Sequence, residues 1–90
     1  MIRVLFFATI RELAHGKETT VQGCRTVDEL FAALSERCGD AFGKEALEGG
    51  SVSGRVIVMV NGRAIAHTGG GATPLSDGAT VAVFPVIGGG

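Results

Sequence analysis

The chain has no tryptophan and no tyrosine, and only two prolines and two cysteines in 90 residues. Cys24 and Cys38 are too few for a disulfide framework and form no Cys-x-x-Cys pair. A free-thiol protein of the cytoplasm is the expectation. Neither sign of charge is in excess, since 8 basic against 9 acidic residues leave a net −1. A protein that holds DNA or RNA through phosphate contacts needs a basic surplus, so nucleic acid is excluded as a partner. Long apolar runs are also lacking. The longest, Val81–Ile87, has seven residues and contains Pro85, against the roughly 18 that a membrane-spanning helix takes. The apolar N-terminal stretch is short, charges follow it at once, and no small-x-small cleavage site closes it. It reads as a strand rather than a signal peptide, and no membrane partner is expected.

What the chain does have is apolar residues, 46% of the total, with 19% charged. That mixture folds rather than staying disordered. Ninety residues suit one domain, burying roughly 60–65% of the unfolded chain's surface around one small core. Ile2–Thr9 is rich in β-branched and aromatic residues and reads as a strand. Thr9-x-x-Glu12 has the capping-box pattern and leads a short helix that Gly16 stops. Glu18–Gln22 is a second strand, able to pair antiparallel with the first.

Residues 26–38 carry the clearest helix. Val27, Leu30, Phe31, Leu34 and Cys38 form one stripe at helical period, Thr26 and Glu29 form a second capping box, and Gly39 caps the end. Asp40–Leu47 adds a short helix with Asp40 as its cap, although Gly43 weakens it. Gly49–Gly54 reads as loop, Arg55–Val60 as a strong strand, and Asn61-Gly62 as a hairpin turn into a short return strand. Thr68–Thr73 is expected to be flexible loop. Thr80–Pro85 is the last strand, ended by a proline that cannot donate to a ladder. Strands with one long packed helix make a two-layer α+β domain.

One helix covers one face of a sheet. Yet in the first strand both alternating sets are apolar, Ile2, Val4, Phe6 and Ala8 on one side, and Leu5 and Phe7 on the other with Arg3 and Thr9. In the last strand Val81 and Val83 face one way, Thr80, Ala82 and Phe84 the other. Leu5, Phe7 and Phe84 are the expected outward set, and a contiguous apolar patch marks a partner surface. Two other arrangements fit the same pattern: both faces are core, or these residues are scattered surface apolars.

Side chains that carry chemistry are scarce. His15 and His67 each stand alone, with no ligand at metal spacing, so no metal site is expected. Asp28-Glu29 is explained by the dipole of the helix it starts. Gly39–Glu45 falls short of a phosphate-binding loop, having three residues between its glycines and Glu45 where Ser or Thr belongs. Cys38 belongs to the apolar stripe.

The last residues are different: Phe84-Pro85-Val86-Ile87-Gly88-Gly89-Gly90. The five residues past Pro85 reach about 16 Å when extended. Glycine has no Cβ, so Gly88 and Gly89 can thread a narrow channel. The Gly90 carboxylate is then uncrowded, which suits delivery into another protein's active site. An inert flexible end fits the same residues.

This assembly resembles the ubiquitin-like sulfur carriers, and most closely the small subunits of molybdopterin synthase. The resemblance is carried by Val4-Leu5-Phe6-Phe7-Ala8 with Arg11-Glu12-Leu13, by Val60-Asn61, by Pro74-Leu75-Ser76-Asp77-Gly78, by Val81–Pro85, and by Gly89-Gly90. It covers nearly the whole chain. It implies a β-grasp domain over residues 1–85, a mixed sheet of about five strands on one main helix with one or two short helices. Residues 86–90 become a flexible glycine tail. It further implies that Gly90 is adenylated by an E1-like enzyme using ATP, with no cofactor bound by this chain. A sulfur-donating persulfide protein then converts Gly90 to a thiocarboxylate. The tail enters the large subunit of molybdopterin synthase, in a heterotetramer, and gives sulfur to a pyranopterin precursor for the molybdenum cofactor. The catalytic groups are expected on that partner, and Leu5, Phe7, Phe84, Pro85, Val86 and Ile87 form the partner interface. The chain departs from the pattern at Val86, where a second proline often stands, and at Gly88, where a larger residue is common.

Two related readings share this tail chemistry. Thiamine-pathway sulfur carriers are usually shorter and lack the helix after the first strand, so residues 10–15 favour molybdopterin. A protein modifier would join Gly90 to lysines of other proteins. A third reading is a binding module whose tail is inert.

Overall fold

The computed structural model describes residues 1–86; the part of the expected tail at 87–90 lies outside them. β1 (Ile2–Phe6) leads into α1 (Ile10–Ala14) and β2 (Glu18–Val21). α2 (Val27–Cys38) is followed directly by α3 (Asp40–Ala46), then a small hairpin of β3 (Leu47–Glu48) and β4 (Ser51–Val52). β5 (Val56–Val60) turns into β6 (Arg63–Ala64), and two 3-10 turns lead to β7 (Thr80–Pro85). The main sheet runs β2-β1-β7-β5-β6. β1 and β7 pair in parallel at its centre and the other pairs are antiparallel. This is the expected mixed five-stranded sheet on one main helix.

Alternation explains the layers. Ile2, Val4 and Phe6 of β1, Val56 and Val58 of β5, and Val81 and Val83 of β7 all point inward and are buried. They meet the α2 stripe of Val27, Leu30, Phe31 and Leu34 in one apolar cluster. Phe42 of α3 completes it, with its ring centroid 6.1 Å from Phe6, edge-on, and 6.0 Å from Phe31. α2 starts as its capping residues dictate: the Glu29 amide donates to Thr26 Oγ1 at 3.2 Å, and Glu29 Oε1 accepts from the Arg25 amide at 2.9 Å.

Several local details differ from the sequence expectation. Thr9 makes no side-chain cap for α1, because it is itself in the helical region at φ −65°, and His15, not Gly16, takes the left-handed position that ends the helix. Asp40 lies inside the first turn of α3, and Gly39 is the capping residue. α3 forms through Gly43, where a Cβ would press on Ser35 Oγ of α2, so the two helices pass close together at this point. Gly49–Gly54 is not plain loop. Gly49 and Gly50, at φ 62° and 85°, form the two-residue turn joining β3 to β4.

The stretch 68–73 is also ordered rather than loose. Thr73 is buried, and its hydroxyl lies 3.0 Å from that of Thr68 and donates to the Gly70 carbonyl at 2.6 Å. Asp28 does more than offset a helix dipole: its Oδ1 accepts from Ser51 Oγ at 2.9 Å and the Val52 amide at 3.1 Å, tying α2 to β4.

Candidate functional site: the outer sheet face and the root of the tail

The face of the sheet opposite α2 carries Leu5 from β1, Ala82 and Phe84 from β7, and Ile57 and Met59 from β5. Strand register sets Leu5 beside Ala82, Met59 beside Ala82, and Phe84 beside Ile57. None of these side chains is fully buried, and Ile57 is 46% exposed. Phe7 follows β1 directly. Its amide donates to the Val83 carbonyl at 3.1 Å, which holds its ring against Phe84. The two rings stack with centroids 4.4 Å apart at 12°. Each half-buries the other, and the pair is attractive beyond the area it hides.

Two local features aim Phe7. Ala8, next in sequence, takes φ 52°, a left-handed conformation that costs a non-glycine residue about 1 kcal/mol. The chain thereby turns sharply into α1. Arg11 then sits with its guanidinium carbon 5.8 Å from the Phe7 ring centroid, and its Nε donates to the Phe6 carbonyl at 2.9 Å. A cation over an aromatic face adds attraction.

Pro85, half-buried, pairs with Val56 across the sheet. Val86 is 49% exposed, and its amide donates to the Arg55 carbonyl at 3.1 Å. So of the residues singled out in the sequence, Leu5, Phe7, Phe84, Pro85 and Val86 lie on the outer face or at its end. Ile87, Gly88, Gly89 and Gly90 are outside the described residues. Ile57, Met59 and Arg11 were missed. The alternation of Arg55–Val60 could have shown that Ile57 and Met59 share a face, but only the pairing of β5 with β7 sets Ile57 beside Phe84 and Met59 beside Ala82.

The rest of the described surface offers little chemistry. Among the described residues no cluster of three His, Cys, Asp or Glu could hold a metal. His15 and His67 are exposed. Burial pushes both cysteine thiols up from their ordinary range, Glu29 adding to the effect at Cys24, while Arg37 opposes it at each. Neither is therefore presented as a thiolate near neutral pH. An open hollow of about 390 Å³ lies at the other end of β5 from Val86, lined by Val60, Asn61, Arg63, Thr68, Thr73 and Pro74. Its polar groups serve the fold: Asn61 Oδ1 accepts from the Thr80 amide at 2.9 Å.

The model of the ThiS family matches residues 4–90. The chain belongs to the ThiS family. Small archaeal modifier protein 3 of Haloferax volcanii is 36% identical to this ThiS-family chain over 91 residues, covering 99% of it and 98% of the relative. The solution structure of small archaeal modifier protein 1 from Methanosarcina acetivorans superposes with a TM-score of 0.87 at 26% identity, covering 99% of this chain and 95% of that one. A putative molybdopterin converting factor subunit 1 from Pyrococcus furiosus gives 0.69 at 30% identity, covering 96% and 97%. The fold is the ubiquitin-like β-grasp, and the family is that of the ubiquitin-like sulfur carriers and modifiers. No helix among the described residues is long and apolar enough to cross a membrane.

Proposed function

We propose that this chain is the sulfur-donating small subunit of a molybdopterin synthase. The observation that carries the reading is the Phe7–Phe84 stack on an uncovered apolar face, at the strand end from which the glycine tail departs. The docking face lies at the end of β7 that precedes the glycine residues in the sequence. The 30% identity to the Pyrococcus furiosus subunit supports molybdopterin as the acceptor pathway.

The chemistry follows from the carboxylate. Its charge is delocalised and oxide is a poor leaving group, so a nucleophile does not attack it unaided. An E1-like enzyme attaches AMP from ATP to the Gly90 carboxylate and releases pyrophosphate. The outer sulfur of a protein persulfide displaces AMP, and reduction of the resulting S–S bond by a thiol leaves a C-terminal thiocarboxylate. That group is ionised near neutral pH and nucleophilic. The outer face docks on the large subunit, and the tail carries sulfur to the pyranopterin precursor. Two deliveries build the dithiolene. This chain contributes binding and position; the acid–base groups belong to the partner. The setting is the cytoplasm, where thiols stay reduced.

The 36% identity to small archaeal modifier protein 3 favours a second reading. There the same activated Gly90 carbonyl is attacked by a lysine amine of another protein, forming an isopeptide and releasing the activating group.

Reconstitution separates the two. Thiocarboxylated chain is mixed with a molybdopterin synthase large subunit and the cyclic pyranopterin precursor. Formation of the dithiolene, with stoichiometric return of Gly90 to a carboxylate, supports the first reading. Sulfur that stays on the chain contradicts it.

A further inference from the structure

We propose that Arg55 is a positioning residue for the root of the tail: it holds the amide of Val86, the residue from which the tail continues. The inference rests on the carrier reading above for its functional half and on geometry alone for its structural half.

The β5–β7 register pairs Val56 with Pro85 and Ile57 with Phe84. Carried one step further, it sets Arg55 against Val86, where an antiparallel pair would exchange two main-chain bonds. Only one is made. The Val86 amide donates to the Arg55 carbonyl at 3.1 Å, while the Arg55 amide turns away to donate to Ser53 Oγ at 2.9 Å. Pro85 has no N–H to give. Among the described residues the Val86 bond is thus the last main-chain tie at this end of β7, and it is as good as its acceptor is fixed.

The acceptor is fixed from its other side. The Arg55 guanidinium reaches back to the end of α3 and to β3. Nη2 donates to the carbonyls of Lys44 at 2.7 Å and Leu47 at 3.2 Å, Nη1 donates to Glu48 Oε1 at 2.8 Å, and Nε lies 3.4 Å from Glu45 Oε1. Ser53, buried beside it, donates to the Glu45 carbonyl at 2.9 Å. A lone exposed ion pair is worth little. A planar fork held by two carbonyls and two carboxylates is a different device, and lysine cannot reproduce it. Four residues past Val86 span about 13 Å when extended, so a shift of a few ångströms at the root is a large part of the tail's reach. A tail whose root wanders is in the productive direction for a smaller fraction of the time, which raises the apparent KM in inverse proportion to that fraction.

The test uses the full chain. Amide exchange is read by NMR in the wild type, Arg55→Ala, Arg55→Lys and, as a charge control, Arg63→Ala. Gly90 activation is read as ATP–pyrophosphate exchange with an E1-like adenylating enzyme. Arg55→Ala should speed exchange at Val86 at least about tenfold while Val58 and Val83 keep their protection. KM for the chain should rise about three- to tenfold with kcat held. Arg55→Lys should fall between, and it carries the test if the alanine variant unfolds. Arg63→Ala should match the wild type. Unchanged exchange at Val86 overturns the clamp. Equal acceleration at Val58 and Val83 also overturns it, since Arg55 would then be merely structural. Faster exchange with unaltered KM overturns the positioning role. A wild-type chain that is never activated overturns the carrier reading instead, and the exchange rates still decide the clamp.

Discussion

The rings of Phe7 and Phe84 lie 4.4 Å apart and nearly parallel because the central strand pair is parallel, with Phe6 in register with Val83. Residues one step beyond that pair must share the outer face. The start of the fold and its last strand thus jointly make the surface beside the tail.

Replacing either ring by a carboxylate tests that surface. Phe7→Asp and Phe84→Asp should each weaken binding to a partner large subunit by at least about 2 kcal/mol, as for a central aromatic contact. Folding should suffer less, since both side chains are only half-buried. The check is titration calorimetry beside urea unfolding. Binding at wild-type affinity would contradict the docking role.

The stack itself is measurable. A cycle of Phe7→Ala, Phe84→Ala and the double variant should show a coupling of about 0.5–1.5 kcal/mol in unfolding free energy. Additive losses would mean the rings merely lie near one another.

The α2–α3 crossing makes a second stability prediction. Alanine normally gains about 1 kcal/mol over glycine inside a helix. At Gly43 part of that gain should be lost, because the new methyl presses on Ser35 Oγ and forces that side chain to turn. In a Ser35→Ala background it should reappear. Equal effects in both backgrounds, read from urea midpoints, would refute the close approach.

The cysteines set a pH dependence. Burial raises both thiols above their unfolded values, so the folded state holds its protons more tightly. The stability from this source is complete below the unfolded thiol value of about 8.5 and falls as pH rises from there through the folded values. Cys24→Ser with Cys38→Ser should flatten that decline between roughly pH 8 and 10. An unaltered slope would assign it to other groups.

Much of this was legible in the sequence because its signals are local. The α2 stripe, the Thr26 cap, the Asn61-Gly62 turn and the proline ending β7 each depend on neighbours in the chain, and each formed. Local signals also misled. Thr9-x-x-Glu12 has the letters of a capping box, but Ala8 takes the left-handed turn and leaves Thr9 already helical. What the sequence hid is long-range. That Ile57 sits beside Phe84, that Arg55 holds the Val86 amide, and that Gly43 faces Ser35 are consequences of strand order and helix crossing. No spacing along the chain encodes them.

The central claim concerns one carboxylate, and mass spectrometry of the C-terminal tryptic peptide tests it most directly. Cleavage after Arg63 yields Ala64–Gly90, which contains neither Cys nor Met, so no oxidised methionine can mimic the exchange of oxygen for sulfur. The chain is made alongside its native activating enzyme and sulfur donor. The account predicts a peptide heavier by that exchange and alkylatable at its terminus, and none in a chain lacking Gly90 that still unfolds at the wild-type temperature. An unmodified peptide, with the activating enzyme shown to be competent, would contradict it.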